Sequence, residues 1–282
     1  MAHIQFVHNP QSGSFSPERY QALLDAASAI GNTVVSSVSS PTHPFALETG
    51  VDHVCAVGGD GTVRHVAAHL AGVEVPPGLS IYPMGTINLV AREIGWPQDA
   101  SAFVRQIAPT LGTERLWPVR INEDCFIACA SIGPDARAVA GVSTAVKARI
   151  GRLAYGLALI KAFAAWHRPA LQVVADGNAF ECEAIYIAKG RYFAGPWSFA
   201  TEARLDQQTL HIVALQRATR TAYARFLTAL VFGRVDRMAG LHRVTARTLS
   251  ITCATPQPIQ IDGDIGSMTP VDICIADRPL YG

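Results

Sequence analysis

The chain has 282 residues, long enough for two domains with separate cores, of which 49% are hydrophobic and 16% charged. Its 23 basic residues nearly balance 22 acidic ones, which gives no bulk attraction for nucleic acid, and no apolar run reaches the ~18–20 residues that span a bilayer. The nearest approach, LAYGLALIKAFAAW at 153–166, is broken by Lys161 and reads as a buried or interfacial helix. MAHIQFVHNP lacks the basic and apolar regions of a secretory signal, so a cytoplasmic location is expected. Six cysteines scattered through strand-like runs read as buried free thiols. Cys125 and Cys129 lack the second half of a zinc pattern.

In chain order, IQFVH at 4–8 is a strand ended by Asn9, Pro10 and Gly13. SPERYQALLDAASAIG follows as a helix: Ser16 can cap it, Pro17 suits its first turn, Tyr20, Leu23, Leu24 and Ala27 share a face, and Gly31 can end it. Next come the strand NTVVSSV, a short helical piece around 44–49, the strand HVCAV, a helix from Thr62, the strand LSIYP and a helix from Thr86 to Ile94. Strands alternating with helices predict an α/β domain with a parallel sheet. After Pro118 the texture becomes β-rich: ALQVVADGNAFECEAIYIA reads as two strands around Asp176-Gly177-Asn178, and TLHIVAL, LSITCA, PIQIDGD and PVDICIA are further strands. Helical stretches at 140–166 and 219–232 interrupt this mainly antiparallel half. The domains are therefore set at 1–118 and 119–282, with the last residues placed to return to the first domain.

Two glycine-rich corners fall at consecutive strand ends, where open parallel sheets bind ligands: Gly58-Gly59-Asp60-Gly61-Thr62 and Met84-Gly85-Thr86-Ile87-Asn88. Glycine permits close backbone approach, and free amides at a helix start attract phosphate. Asp60 would repel phosphate there unless a cation such as Mg²⁺ compensates or the carboxylate moves a proton; the plainer alternative is a tight turn whose Asp satisfies its own backbone. The chain has no GxxxxGK[ST], so it is no P-loop enzyme. Near its end, IDGD places Asp262 and Asp264 either side of Gly263. Asp-Gly is also a common hairpin turn.

These pieces in this order resemble the diacylglycerol kinase catalytic-domain family, which includes bacterial lipid kinases and the sphingosine and ceramide kinases. The matches are NPQSG at 9–13, VGGDGTV at 57–63, PMGTINLVAREIGWP at 83–97, SIGPDARAVAGVSTAVKARIGRLAYGLA at 131–158 and IDGD at 261–264. The resemblance implies a first domain of the kind found in NAD kinases and phosphofructokinases, a second β-sandwich domain, and a nucleotide in the cleft between them. It implies that Gly58, Gly59, Asp60, Gly61 and Thr62, with Val63 and Arg64, wrap the phosphates of ATP, that Gly85, Thr86 and Asn88 add the second corner, and that Asn9 and Ser39 lie beside them. Asp60 would hold Mg²⁺ with ATP. Asp264 takes the place of the family's glutamate as proton acceptor, Asp60 is the second candidate, and Asp262 would orient Asp264 or help hold Mg²⁺. Asp135 falls in the region that contacts the lipid head group in sphingosine kinases.

The chain departs from the family at Arg64-His65, where Asn-Glu is common, and at Leu89, where many members have Asp. Arg64 can pair with phosphate or solvate its helix. Several bacterial members hold a structural Mg²⁺ through an Asp-Gly-Leu sequence, and here the matching stretch is Leu205-Asp206-Gln207-Gln208-Thr209-Leu210. Arginines 217, 220, 225, 234, 237, 243 and 247 surround FLTALVF with Asp236 the one acid among them, a pattern suited either to an anionic membrane surface or to a solvated basic face. Lys147, Arg149 and Arg152 form a smaller basic group. The expected activity is phosphoryl transfer from Mg-ATP to a membrane lipid, with diacylglycerol the default and ceramide, a sphingoid base or a monoacylglycerol open. The expected enzyme is cytoplasmic and peripherally bound to the inner face of the membrane, with a homodimer left open. The alternatives are an NAD kinase and a catalytically decayed nucleotide- or lipid-binding protein.

Overall fold

The computed structural model of the protein describes residues 1–40, 44–110, 114–141 and 168–281. The chain divides into two compact units, Met1–Pro118 with Ala276–Gly282, and Val119–Ile275.

In the first unit, β1 (His3–His8), β2 (Thr33–Val38), β3 (His53–Gly58) and β4 (Gly78–Pro83) form an all-parallel sheet in the order β2-β1-β3-β4. All four carboxyl ends therefore lie along one edge. Every residue of β3 is buried, as expected of a strand covered on both faces. Helix α1 (Pro17–Ala29) starts where its sequence requires: the Ser16 hydroxyl accepts from the Arg19 amide at 3.2 Å, Pro17 occupies the first turn, and Tyr20, Leu23 and Ala27 are buried. Helix α2 (Asp60–Ala71) follows β3, and α3 (Leu89–Ile94) and α4 (Ala100–Thr110) follow β4. Short β5 (Arg115–Leu116) and β18 (Leu280–Tyr281) pair antiparallel, tying the chain's end into this unit.

Two local expectations are corrected, and one helix is added. Residues 44–49 are loop, not helix: buried Gln5 donates through Nε2 to the Ala46 carbonyl (2.8 Å) and accepts the Glu48 amide (3.0 Å). The helix expected from Thr86 starts only at Leu89, because Asn88 is left-handed at φ 56°. Helix α4 was not anticipated, although its buried Phe103, Val104 and Ile107 have helical spacing.

In the second unit, one six-stranded sheet runs β10 (Asn178–Cys182), β9 (Leu171–Ala175), β14 (Thr248–Cys253), β17 (Val271–Ile275), β6 (Val119–Ile121), β7 (Asp124–Phe126). The other runs β13 (Leu241–Ala246), β12 (Leu210–Leu215), β11 (Ala184–Ala188), β8 (Cys129–Ile132), β15 (Pro258–Ile261), β16 (Asp264–Met268). All pairings are antiparallel, as a β-sandwich requires. Strand β9 alternates buried and exposed residues, whereas β11 and β12 are buried throughout, so the second sheet is the better covered. ALQVVADGNAFECEAIYIA thus holds three strands rather than two, with only Glu183 between β10 in one sheet and β11 in the other. Glu183 secures that step by accepting both Arg168 guanidinium bonds at 2.8 Å and the Ala218 amide at 2.7 Å.

Helices α5 (Pro134–Gly141) and α6 (Arg220–Val231) belong to this unit, and α6 is capped by the Thr219 hydroxyl. The helical stretch expected beyond residue 141, with Lys147, Arg149, Arg152 and the 153–166 segment, lies outside the described residues. The six cysteines are free thiols, four of them buried.

His53, at the start of β3, is 1% exposed and neither ring nitrogen has a hydrogen-bond partner, so burial pushes its pKa down to about 4. The unfolded chain binds a proton at His53 below its ordinary pKa of about 6.5, while the folded chain does so only near the lowered value. Stability is therefore lost as pH falls through this window. Urea unfolding at about pH 7.5 and about pH 5 should show His53→Leu losing about 2 kcal/mol less than the parent protein.

Candidate functional site

The first unit's carboxyl edge is built around a contact that only glycines allow. A Cβ on Gly85 would lie 2.2 Å from the Gly59 Cα, and one on Gly59 would lie 3.1 Å from the Gly85 Cα. The two corners expected from sequence thus touch backbone to backbone. The Met84 amide donates to the Gly58 carbonyl at 2.9 Å, extending the β3–β4 ladder into the corner. Asn88 closes the second corner by accepting the Gly85 amide and donating to the Gly85 carbonyl, both at 2.8 Å.

The loop after β1 joins them. Asn9 accepts the Gln11 amide through its side chain (2.9 Å) and the Ser12 amide through its carbonyl (3.0 Å), which curls the loop back. The Ser12 hydroxyl then donates to the Met84 carbonyl at 3.2 Å, and a Cβ on Gly13 would stand 2.9 Å from the Thr86 hydroxyl oxygen. Ser12 and Gly13 were not singled out as site residues, although NPQSG contains both. His8, also unforeseen, stacks on Phe15 (5.5 Å) and Tyr20 (4.2 Å) beside Asn9, and burial lowers its pKa.

Asn9, Gly58 to Arg64, Gly85, Thr86 and Asn88 therefore share one edge. Buried Ser39 lies there too, beyond β1, with its amide donated to the His8 carbonyl at 2.9 Å. Gly59 begins α2 and, having no side chain, makes no side-chain cap at this helix start, the kind of position that attracts anions. Asp60 reaches beyond its own turn: its Oδ1 accepts the Val90 amide of α3 at 3.3 Å, linking the two corners. Thr62 and Arg64 are 5% and 6% exposed, which removes the solvated-face alternative for Arg64. Val63 is a core residue whose amide donates to the Gly59 carbonyl at 3.1 Å, so it backs the corner from within α2.

The remaining candidates belong to the second unit. Asp262 and Gly263 have φ of 48° and 89° and join Ile261 to its partner Asp264, the two-residue hairpin turn expected of Asp-Gly. Asp262 does more than turn the chain. Its carboxylate accepts the amides of Ile127 (2.7 Å), Ala128 (2.8 Å) and Cys129 (3.0 Å), while its own amide donates to the Cys129 carbonyl (2.9 Å). This buried clip fastens the β15–β16 turn to the β7–β8 turn. Asp264, half-buried, opens β16 one residue past the turn.

Asp135 sits in the first turn of α5 within a polar cluster. It accepts the Ser131 hydroxyl and, at 3.0 Å, the Tyr186 hydroxyl, which also lies 2.8 Å from the Tyr223 hydroxyl. Burial raises the Asp135 pKa against the opposing pull of these hydrogen bonds. Burial first, and then the Asp135 carboxylate, push Tyr186 and Tyr223 well above the ordinary tyrosine value. Phe193, Phe199 and Phe226 pack around Tyr186 at ring distances of 5.8, 5.5 and 4.7 Å. Neither tyrosine carried a sequence signal, since each looks like an ordinary core aromatic.

A parallel α/β unit with a glycine-lined corner, joined in sequence to an antiparallel sandwich, is the two-domain arrangement that the family resemblance implies. Family comparison agrees. The diacylglycerol kinase catalytic domain model matches residues 3–114, and that of the YegS C-terminal NAD kinase beta sandwich-like domain matches residues 128–280. The chain belongs to the diacylglycerol kinase catalytic-domain family and is an enzyme of the lipid-kinase class. Among curated relatives, a diacylglycerol kinase of Bacillus subtilis (strain 168) is 22% identical over 299 aligned positions, covering 100% of this chain and 96% of its own. A diacylglycerol kinase of Staphylococcus aureus (strain bovine RF122 / ET3-1) is 23% identical over 285 positions, covering 98% and 90%. The crystal structure of a diacylglycerol kinase from Bacillus anthracis str. Sterne has the same fold, with a TM-score of 0.78 at 20% identity over 100% of this chain and 97% of that one.

The glycine contact makes a graded prediction. Gly85→Ala must displace the facing backbone and should cost about 1–3 kcal/mol, whereas Gly59→Ala has more room and should cost less. Thermal unfolding of the two variants checks the order.

Proposed function

We propose that the protein transfers the γ-phosphate of ATP, as its Mg²⁺ complex, to the hydroxyl of a membrane lipid, with diacylglycerol the favoured acceptor. The observation that carries this reading is the Gly59–Gly85 contact, which brings two glycine backbones together beside the start of α2, where no side-chain cap stands. The names of the relatives support the acceptor.

In this reading the first-turn amides of α2 and the hydroxyls of Thr62 and Thr86 bind and orient the phosphates. Asp60, at the same corner, is the residue placed to hold Mg²⁺, whose chemistry would be to neutralise charge on the transferring phosphoryl group. Asp264 accepts the proton of the lipid hydroxyl, a role for which geometry matters before pKa. Asp262 is the positioning residue, since its clip fixes the turn from which Asp264 projects. Asp135, oriented by Ser131 and Tyr186, is the candidate acceptor for a second polar group of the lipid.

The assay is transfer of labelled γ-phosphate from ATP to diacylglycerol, ceramide, sphingosine, monoacylglycerol or NAD in mixed micelles. Asp264→Asn should lower kcat by about 10²–10⁴-fold with the KM for ATP little changed. Asp60→Ala should abolish transfer. An unchanged rate in Asp264→Asn would assign the base elsewhere, label on NAD would replace the acceptor class, and ATP binding without transfer to any acceptor would favour a decayed binding protein.

The reading also needs a peripheral encounter with the membrane. No helix among the described residues is long and apolar enough to cross one. Helix α6 buries Tyr223, Phe226 and Leu230 but ends with Val231 and Phe232, 51% and 69% exposed. The seven arginines between 217 and 247 are all exposed. In this reading Val231 and Phe232 dip below anionic head groups while arginines of this exposed set pair with them. Sedimentation with anionic vesicles should weaken as salt is raised, and Phe232→Ala with Arg234→Ala should weaken it further. Equal sedimentation with neutral vesicles would rule out the charge component. A homodimer remains a proposal for solution sizing.

A further inference from the structure

We infer that Lys189 is a resident, covalently tethered cation that takes the place of a structural metal ion in the second unit, so that the sandwich folds without divalent metal. This goes beyond the kinase reading and does not depend on it.

Lys189 directly follows β11 and has 0% exposure, and a buried ammonium persists only where hydrogen-bond acceptors replace its water. Its Nζ donates to the Arg204 carbonyl at 2.9 Å and to the Leu205 carbonyl at 2.7 Å. One side chain thus gathers two consecutive carbonyls of the irregular segment that leads into β12. The Arg204 guanidinium reinforces the turn by donating to the Thr201 and Ala203 carbonyls, both at 2.8 Å. Four carbonyls within five residues are met by side-chain cations. Converging backbone carbonyls are the oxygen donors that hard ions such as Mg²⁺ and Ca²⁺ use, so this turn is a cation site in which the cation is part of the chain.

The residues present do not fit the structural Mg²⁺ that the family resemblance implies at 205–210. Asp206 is exposed rather than turned inward, the stretch 205–210 contains no Asp-Gly, and the ammonium already lies against the carbonyls. A divalent ion beside it would face a like charge in a desolvated turn. His211 senses the same field: burial lowers its pKa, the Glu202 carboxylate 3.4 Å away opposes, and the charges of Lys189 and Arg204 add to the lowering. Among the described residues, no group of three or more His, Cys, Asp or Glu side chains could hold a metal.

The test is thermal unfolding of the full chain without nucleotide, in EDTA and in excess MgCl₂ or CaCl₂. The parent protein should unfold at the same temperature in all three. Lys189→Met should unfold about 5–10 °C lower, because two charge-assisted hydrogen bonds are lost. A fall in the parent's unfolding temperature on chelation, restored by Mg²⁺ or Ca²⁺, would overturn the inference, as would a Lys189→Met protein as stable as the parent. If Lys189→Met fails to fold, the chelation series on the parent decides alone. Phosphoryl transfer is assayed separately, so a failure of the kinase reading leaves this result intact.

Discussion

The approach of the Gly59 and Gly85 backbones is the constraint on which the first unit's chemistry rests. Side chains at either position would hold the β3–α2 corner away from the β4–α3 corner, and the surrounding hydrogen bonds require them in contact. The Met84 amide can reach the Gly58 carbonyl only if the strands stay paired to their very ends. Ser12 can reach the Met84 carbonyl, and Gly13 can lie against Thr86, only if the second corner is pulled in toward the first. Neither Gly59 nor Gly85 has a positive φ, so their role is proximity rather than unusual backbone conformation. Three segments far apart in the chain thereby become one surface, with a helix start aimed into it.

Features decided by neighbours in sequence were legible before the structure. Ser16-Pro17 starts α1, Asp176-Gly177 and Asp262-Gly263 turn hairpins with paired positive φ, and the mostly apolar HVCAV is a strand, buried throughout. Features decided by distant partners were not. Residues 44–49 have helix-compatible composition, but the Gln5 side chain claims their backbone from the middle of β1, and that hydrogen bonding outweighs a weak propensity. Asn88 could have been an ordinary first-turn residue, yet its amide group closes on Gly85 and forces it left-handed. Asp60 was visible as a carboxylate at an anion corner, but its use in capping α3 depends on a contact thirty residues away.

The second unit meets the backbone groups of its irregular turns with side-chain charge of the matching sign, buried in the case of Asp262 and Lys189. Where amides converge, at residues 127–129, a carboxylate from Asp262 meets them; where carbonyls converge, at 201–205, Lys189 and Arg204 meet them. Glu183 does the same at the step between sheets. Asp262 and Lys189 would be costly to bury alone, and each turn would be costly to bury unpaired. Removing either partner therefore strands the other, which makes such sites sensitive to single substitutions even where they take no part in chemistry.

The two aspartates of the IDGD turn illustrate how closely a structural and a chemical role can be set together. Asp262 spends its carboxylate on three amides, so its value lies in holding the turn. Asp264, paired with Ile261 across that turn and only half-buried, inherits a fixed backbone position from it. In the proposed reading, a base shorter by one methylene than the family's glutamate can act only if its backbone is placed more exactly, because less side-chain length remains to absorb an error. The rigidity of the Asp262 clip and the shortness of Asp264 are therefore complementary, and loosening the first should harm the second even with the base itself intact.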